Sequence, residues 1–246
     1  YKAQKMSLFL PAWSLGCYEI QDYSRNVQRF KAQSAKGLPL YFEKTEKGTW
    51  EIDWKKKGFE NDESDFEVSY LVYAHALTAQ SSHMDHSHAF VHGPSVFMGL
   101  KGFENLGHQL EVSFPVIWSK ISTSLKDVSP KRNRFVYRAE NYHELIDSPL
   151  EIGNQDTDGF MCRSKEHYLC FWGESLSGKS LKEDMKKIVE TTAEIFGELP
   201  YEKYTFITHL TPQKFRGLEH LNSAVMQFCP LRLESLEGYQ DWLSLV

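Results

Sequence analysis

Between residues 38 and 75 the chain carries three runs rich in β-branched and aromatic residues: Leu40-Tyr41-Phe42, Thr49 to Trp54, and Phe66 to Tyr73. Polar turns, Lys44 to Gly48 and Lys55 to Asp65, separate them. Short strands at this spacing favour a sandwich or barrel-like sheet over a helical arrangement. The pattern recurs at Met6 to Leu10, His108 to Trp118 and Phe135 to Ala139, and Pro11 and Gly16 mark a turn after the first of these. The first part of the chain is therefore expected to be antiparallel β.

The periodicity changes near residue 155. Ser148-Pro149 is a natural boundary marker, because proline pushes the preceding residue out of the helical region. Phe160 to Arg163 and His167 to Gly173 read as a hairpin. The clearest helix follows, with Ser180 and Glu183 spaced as a capping box. Leu181, Met185, Ile188, Val189, Thr192, Ile195 and Phe196 recur at helical spacing and are expected to form one buried stripe. Gly197 and Pro200 stop the helix. A strand over Tyr201 to Leu210, a second strand-like stretch over Gly217 to Phe228, and the opening of another helix at Leu236 complete the chain. The expected fold class is mostly β, then α+β, with domains at 1–155 and 156–246.

Composition narrows the class of partner. With 41% hydrophobic and 14% aromatic residues in 246, the chain can bury a substantial core. Its 28 basic and 33 acidic residues give a formal charge of -5 with no basic stripe, which argues against nucleic acid. The one basic run, Lys55-Lys56-Lys57, reads as a solvated turn. No window is apolar enough to span a bilayer, so no membrane partner is expected. Cys17, Cys162, Cys170 and Cys229 lack metal-ligand spacing. Reduced thiols fit a cytoplasmic protein, a Cys162–Cys170 bridge stays open, and so does export if a leader has been removed.

Two stretches carry candidate chemistry. In Gly217-Leu218-Glu219-His220-Leu221-Asn222, adjacent strand residues point to opposite faces, so Glu219 and His220 have different jobs. They are either a solvated pair or a pair with one member in a cleft. The second stretch holds His83, Asp85, His86, His88 and His92. It follows neither the i, i+4 helical pair of a zinc peptidase nor a finger spacing. In an extended chain His88 and His92 would share a face, so a metal site and a purely structural loop both stay open.

Several of these motifs together resemble the glycyl aminopeptidase family of zinc metallopeptidases, whose catalytic domain is thermolysin-like. Gly217 to Ser223 is similar to that family's G-G-L-E-H-x-x-S strand, with Arg216 in place of the first glycine and Leu221 where an arginine is common. Pro11 to Tyr18 resembles P-x-W-x-x-G-x-Y, with Leu15 at a frequent proline. Asp85 to Ser95 resembles D-x-x-x-A-F-x-N-G-x-S, with His92 at the asparagine. Tyr142 to Gly153 resembles D-E-L-x-D-S-P-x-E-x-G, and Leu199 to Phe206 resembles L-P-Y-x-x-Y-x-F.

The resemblance implies an N-terminal antiparallel β-sandwich-like domain and the sheet part of a thermolysin-like domain. It implies removal of small N-terminal residues, Gly or Ala, by metal-activated water, from peptides with a free N-terminus. Glu219 would hold the substrate's α-amine, with Gly217, Leu218, His220 and Asn222 along the same substrate edge. It also implies an S-H-E-x-x-H zinc helix and often a PDZ domain further along. No H-E-x-x-H occurs in these 246 residues. No zinc ligand or catalytic residue is therefore expected in this span, the zinc ligands lie beyond Val246, and the span alone is expected to be inactive. A non-catalytic scaffold that kept the fold without the metal half is the alternative.

Overall fold

The computed structural model describes residues 5–54, 56, 65–131, 134–173, 181–212 and 216–246. The basic run and the capping-box serine, Ser180, lie wholly or partly outside these residues. In chain order the first strands are β1 (Lys5–Phe9), β2 (Val27–Ser34), β3 (Tyr41–Glu46), β4 (Thr49–Asp53), β5 (Phe66–Val72), β6 (His83–Met84), β7 (Ala89–Val91) and β8 (Gly99–Leu100). They are followed by β9 (His108–Val112), β10 (Lys120–Thr123), β11 (Lys126–Asp127), β12 (Phe135–Ala139), the short helix α1 (Tyr142–Ile146) and β13 (Leu150–Gly153). The remainder is β14 (Asp156–Cys162), β15 (Lys165–Trp172), α2 (Leu181–Phe196), β16 (Lys203–Leu210), β17 (Arg216–His220), β18 (Ser223–Phe228) and α3 (Leu236–Leu243).

The molecule is mostly β, with several antiparallel sheets. β1 to β13 form four small sheets, ordered β3-β4-β1-β8, β10-β13-β7-β6, β11-β12-β9 and β2-β5. The residues of β5 alternate between half-buried and exposed along its whole length. Its inward side chains and those of β1 and β4 enclose Leu8, Ala32, Leu40, Ile52 and Trp54.

β14 to β18 form one mixed sheet in the order β14-β15-β16-β18-β17. The β14–β15 hairpin turns on Arg163 and Ser164, both with positive φ (47° and 64°), which matches the two-residue turn that a twisted hairpin prefers. β15, β16 and β18 run parallel, and α2 is the crossover that parallel pairing of β15 with β16 requires. β18 is buried along its entire length, as a central strand covered on both faces must be.

The stretch from Gly217 to Phe228 is thus not one edge strand. It folds at Leu221 and Asn222 into a hairpin, in which only β17 is at the edge of the sheet. The stripe of α2 also differs from its expected course. Leu181, Met185, Val189 and Ala193 are the buried positions, an i, i+4 row, whereas Thr192, Ile195 and Phe196 are exposed. A 3.6-residue period carries the last turn around the helix and away from the sheet. Gly197 does end the helix, with φ 89° and its N–H donating to Ala193 O at 3.0 Å. All four cysteines are free, Cys162 and Cys170 included.

The two faces of the mixed sheet are covered differently. α2 and α3 pack on one face against Phe206, Met226 and Phe228, with Trp242 of α3 fully buried. On the other face Ile207, Leu218 and Val225 share a single apolar cluster with Ala79 and Phe90. Lys203 Nζ to Leu125 O at 2.8 Å and Gln227 Nε2 to Leu77 O at 3.2 Å add polar ties across the same seam. The strands before and after residue 155 therefore have part of their core in common.

Candidate functional site

β17 owes its position to antiparallel pairing with β18, in the register Leu218 to Val225, Glu219 to Ala224 and His220 to Ser223. The pleat sends Leu218 and His220 into the body and leaves Gly217 and Glu219 exposed. Glu219 and His220 thus have opposite surroundings. Leu218, 2% exposed, is core, so only its backbone and that of its neighbours faces outward. Asn222 sits half-buried in the hairpin turn, its carbonyl accepting from Thr205 N–H at 3.1 Å. No further strand pairs with β17 among the described residues.

His220 is fixed from below. Its Nδ1 lies 2.8 Å from Asp147 Oδ1, and Asp147 Oδ2 accepts the Leu221 backbone N–H at 2.8 Å. One carboxylate from the segment between α1 and β13 thereby ties down both the last residue of β17 and its turn. The His92 ring is tilted 55° to that of His220, with centroids 6.2 Å apart. His92 Nε2 is 3.2 Å from the Tyr23 hydroxyl, which donates to Ser14 Oγ at 3.3 Å. Burial, then the charge of His220, holds His92 down at about 3, and burial pushes the Tyr23 phenol up to about 12. This chain of side chains anchors the Pro11 to Tyr18 loop beneath the edge strand.

The loop then rises beside Glu219. Gly16 has φ 74°, and a Cβ there would fall 2.7 Å from Leu218 Cδ1 and 3.3 Å from Glu219 Oε1. Only glycine fits that approach and that backbone angle. Trp13, Leu15 and Tyr18 of the same loop are exposed. On the helix-bearing face, burial pushes the Tyr204 phenol up, and the charges of Tyr201, Glu219 and Asp147 add to the effect. Leu245, next to the last residue of the chain, lies beside Gly217. Glu219 is thus an exposed carboxylate on a free β edge, flanked by a glycine-tight loop. Cavities of about 590 Å³ at Gly107 to Arg138 and about 410 Å³ beside Trp118 and Trp172 lie elsewhere and do not include it.

A second, buried constellation lies under the sheet. Glu151 of β13 is fully enclosed, with Oε1 2.6 Å from His88 Nδ1 and Oε2 2.8 Å from Nε2 of His209 on β16. Burial pushes its carboxyl up to about 7, against the hydrogen bond and charge of His88. His88 stacks on Trp172 at 3.7 Å and 15°. Although His88 and His92 flank the same strand, the first turns to Glu151 and the second to Tyr23. They do not form a shared pair.

The chain matches the family described as Peptidase M61 N-terminal domain over residues 1–154. It belongs to that family. An aminopeptidase N family protein from Idiomarina loihiensis is 29% identical over the whole chain, with a TM-score of 0.90, and the chain spans 42% of that structure's length. Aminopeptidase A from Legionella pneumophila, in complex with aspartic acid, shares the fold at 11% identity and a TM-score of 0.63; 99% of this chain covers 29% of that one. A mutant M1 zinc metallopeptidase from Deinococcus radiodurans, bound to a Tyr-Ser-Ala substrate, shares it at 10% identity and a TM-score of 0.52, with 91% and 52% covered. No match was found among curated proteins.

The Deinococcus radiodurans protein is a zinc metallopeptidase, and the residues around Glu219 here do not fit a zinc ion. Among the described residues, the groups close enough to share an ion are His83, Asp85 and His88, and His88, Glu151 and His209. Neither group includes a residue of β17, and the sequence holds no H-E-x-x-H. Bond cleavage is therefore not assigned to these side chains.

Sequence reasoning singled out Glu219 but missed the residues that hold its strand. Asp147, which ties down β17, and Glu151 stand in the Tyr142 to Gly153 motif, but their partners, and that of His209 on β16, lie 58 to 73 positions away and are not visible there. One signal was readable. Asn141 accepts from Glu144 N–H at 2.9 Å and Glu144 Oε2 accepts from Glu140 N–H at 2.6 Å, an N-x-x-E cap that opens α1 ahead of Asp147.

Proposed function

We propose that this chain is the N-terminal portion of a zinc-dependent aminopeptidase and that it supplies the recognition of the substrate's free N-terminus. Glu219 receives the α-ammonium group through a charge-assisted hydrogen bond, while the outward backbone of β17 offers N–H and C=O groups along which an extended peptide aligns. The Pro11 to Tyr18 loop stands beside the terminal residue and favours a small side chain, Gly or Ala. The zinc and its ligands belong to polypeptide outside these 246 residues, in a thermolysin-like domain that begins near residue 156. A division into 1–155 and 156–246 is part of the same proposal, and the extent of the family match, residues 1–154, supports it.

One observation carries the reading. Glu219 is the exposed carboxylate of an edge strand whose neighbours, Leu218 and His220, are locked inward. A cation at that edge meets a negative charge with no need to move the strand. The test is Glu219→Gln in the full-length enzyme. A lost charge-assisted bond is worth about 1.5–3 kcal/mol, so KM for Gly-p-nitroanilide should rise at least about tenfold. The kcat should change little, as expected for uniform binding. If an amine-blocked peptide loses activity to the same degree, Glu219 does not read the N-terminus. A full-length protein that holds no zinc would favour the scaffold alternative instead.

A further inference from the structure

β6 and β7 pair antiparallel, His83 with Phe90 and Met84 with Ala89, and the four residues between them form a tight loop closed by Asp85 N–H donating to His88 O at 3.1 Å. Inside it, Asp85 Oδ1 accepts from Ser87 N–H (2.7 Å), Ser87 Oγ–H (2.7 Å) and His88 N–H (3.2 Å). Those bonds fix the carboxylate and occupy one oxygen. The other, Oδ2, is 3.6 Å from His83 Nε2.

Both imidazoles are oriented from behind. His83 Nδ1 is 2.6 Å from the His75 carbonyl, which can only accept, so the proton sits on Nδ1 and the neutral ring has a bare Nε2. His88 Nδ1 is 2.6 Å from Glu151 Oε1, and Trp172 clamps the ring by stacking. His88 is fully buried, and its Nε2 has no hydrogen-bond partner. The two rings lie 5.2 Å apart, and one donor atom from each of His83, Asp85 and His88 falls within 4.8 Å of the others.

We propose that His83 Nε2, Asp85 Oδ2 and His88 Nε2 bind a divalent transition-metal ion of the zinc class, with solvent in the fourth position on the exposed side of Asp85. A histidine that ligates a metal characteristically gives its other N–H to a carboxylate or a backbone carbonyl, and here Glu151 and His75 take those two parts. Tetrahedral ligands at about 2.0–2.1 Å from zinc stand about 3.3 Å apart, close to the observed His83 to Asp85 separation. Two imidazoles and one carboxylate suit zinc rather than calcium or magnesium, which take oxygen ligands. A plain ion pair between His83 and Asp85 would leave the buried His88 Nε2 with nothing to bond. The ion links the β6–β7 loop through Glu151 to His209 on β16, and so fastens the seam between the small sheets and the mixed sheet. The sequence offered no recognised ligand spacing here because the three donors meet across a strand turn rather than along one helix.

The test compares the full-length wild type with His83→Asn/Asp85→Asn, a variant at the more accessible ligands, after chelator stripping. Wild type should take up one equivalent of Zn²⁺ more than the variant, whatever other zinc the protein holds. Zn²⁺ at a hundredfold excess over its dissociation constant should raise the wild-type Tm by several °C more than it raises the variant's, since rebinding of any peptidase zinc is common to both. Equal metal content in the two proteins, or a Zn²⁺-dependent Tm rise no larger in wild type than in the variant, overturns the proposal. Co²⁺ gives a second readout that does not depend on the variant folding: the visible d–d absorption of stripped wild type should titrate to one equivalent more than the peptidase site takes, and a titration that ends at that one site is equally decisive. Neither measurement depends on peptidase activity, so failure here leaves the role of Glu219 standing.

Discussion

Asp147 and His220, 73 residues apart in the chain, meet at 2.8 Å, and the same carboxylate takes the N–H of Leu221. The segment between α1 and β13 thereby sets the height and tilt of the edge strand. Orientation of Glu219 thus depends on a half-buried carboxylate from a distant segment.

Replacing Asp147 with Asn should accordingly loosen β17 without touching the apolar core. Weakening two bonds to a charged acceptor should cost about 2 kcal/mol of stability. The effect at the edge should exceed it in reach: amide hydrogen exchange at residues 217–221 should accelerate at least tenfold, while β16 and β18 stay protected. Uniform acceleration across the sheet would mean that Asp147 serves global stability only.

Gly16→Ala should be disproportionately harmful for a one-carbon change. The new methyl would meet Leu218 Cδ1 at 2.7 Å in a backbone conformation, φ 74°, that alanine adopts at a cost of about 1 kcal/mol. The Pro11 to Tyr18 loop should shift off β17 and carry Glu219 with it. Thermal melts should show a loss of about 1–3 kcal/mol, and KM for free-amine substrates should rise together with it. A variant as stable and as active as wild type would remove the loop from the site.

His92 should make the protein acid-sensitive in a defined window. Its ordinary value is 6.5, and burial with the charge of His220 holds it near 3 in the native state. Below pH 6.5 the unfolded chain therefore binds a proton that the native chain refuses. Stability contributed by neutral His92 is complete above that value and falls as pH drops toward 3, by up to about 1.4 kcal/mol per pH unit. Glu151, raised to about 7 by burial, works in the opposite sense between 4.5 and 7, but it is common to wild type and variant. Urea melts of wild type and His92→Asn at pH 7.5, 5.5 and 4.5 should show the stability difference moving steadily in the variant's favour. Parallel pH curves would show that His92 is protonated or exposed in the native protein.

Local patterns were legible where a local cause sufficed. Runs of β-branched and aromatic residues located β5 and β12, the Gly197 stop is real, and the helical period found α2. It misplaced the end of the stripe, because spacing alone does not say where a helix leaves the sheet it rests on. The hairpin at Leu221 and Asn222 was read as continuous strand, since that pair lacks the Asn-Gly or Asp-Gly signature of a two-residue turn. Alternation did foretell that Glu219 and His220 diverge. What no window of sequence could reveal is the pairing of Asp147 with His220 and of Glu151 with His88 and His209, which depends on how two sheets face one another.

The cluster of Phe90 and Ala79 with Ile207, Leu218 and Val225 has a practical corollary. Isolating residues 156–246 would lay bare the underside of the mixed sheet, where Ile207, Leu218 and Val225 lie among buried polar groups such as His209 and Gln227 that would lose their partners. Trimming away the first 155 residues should yield a product prone to self-association, and those residues are better regarded as the sheet's permanent cover than as a detachable accessory.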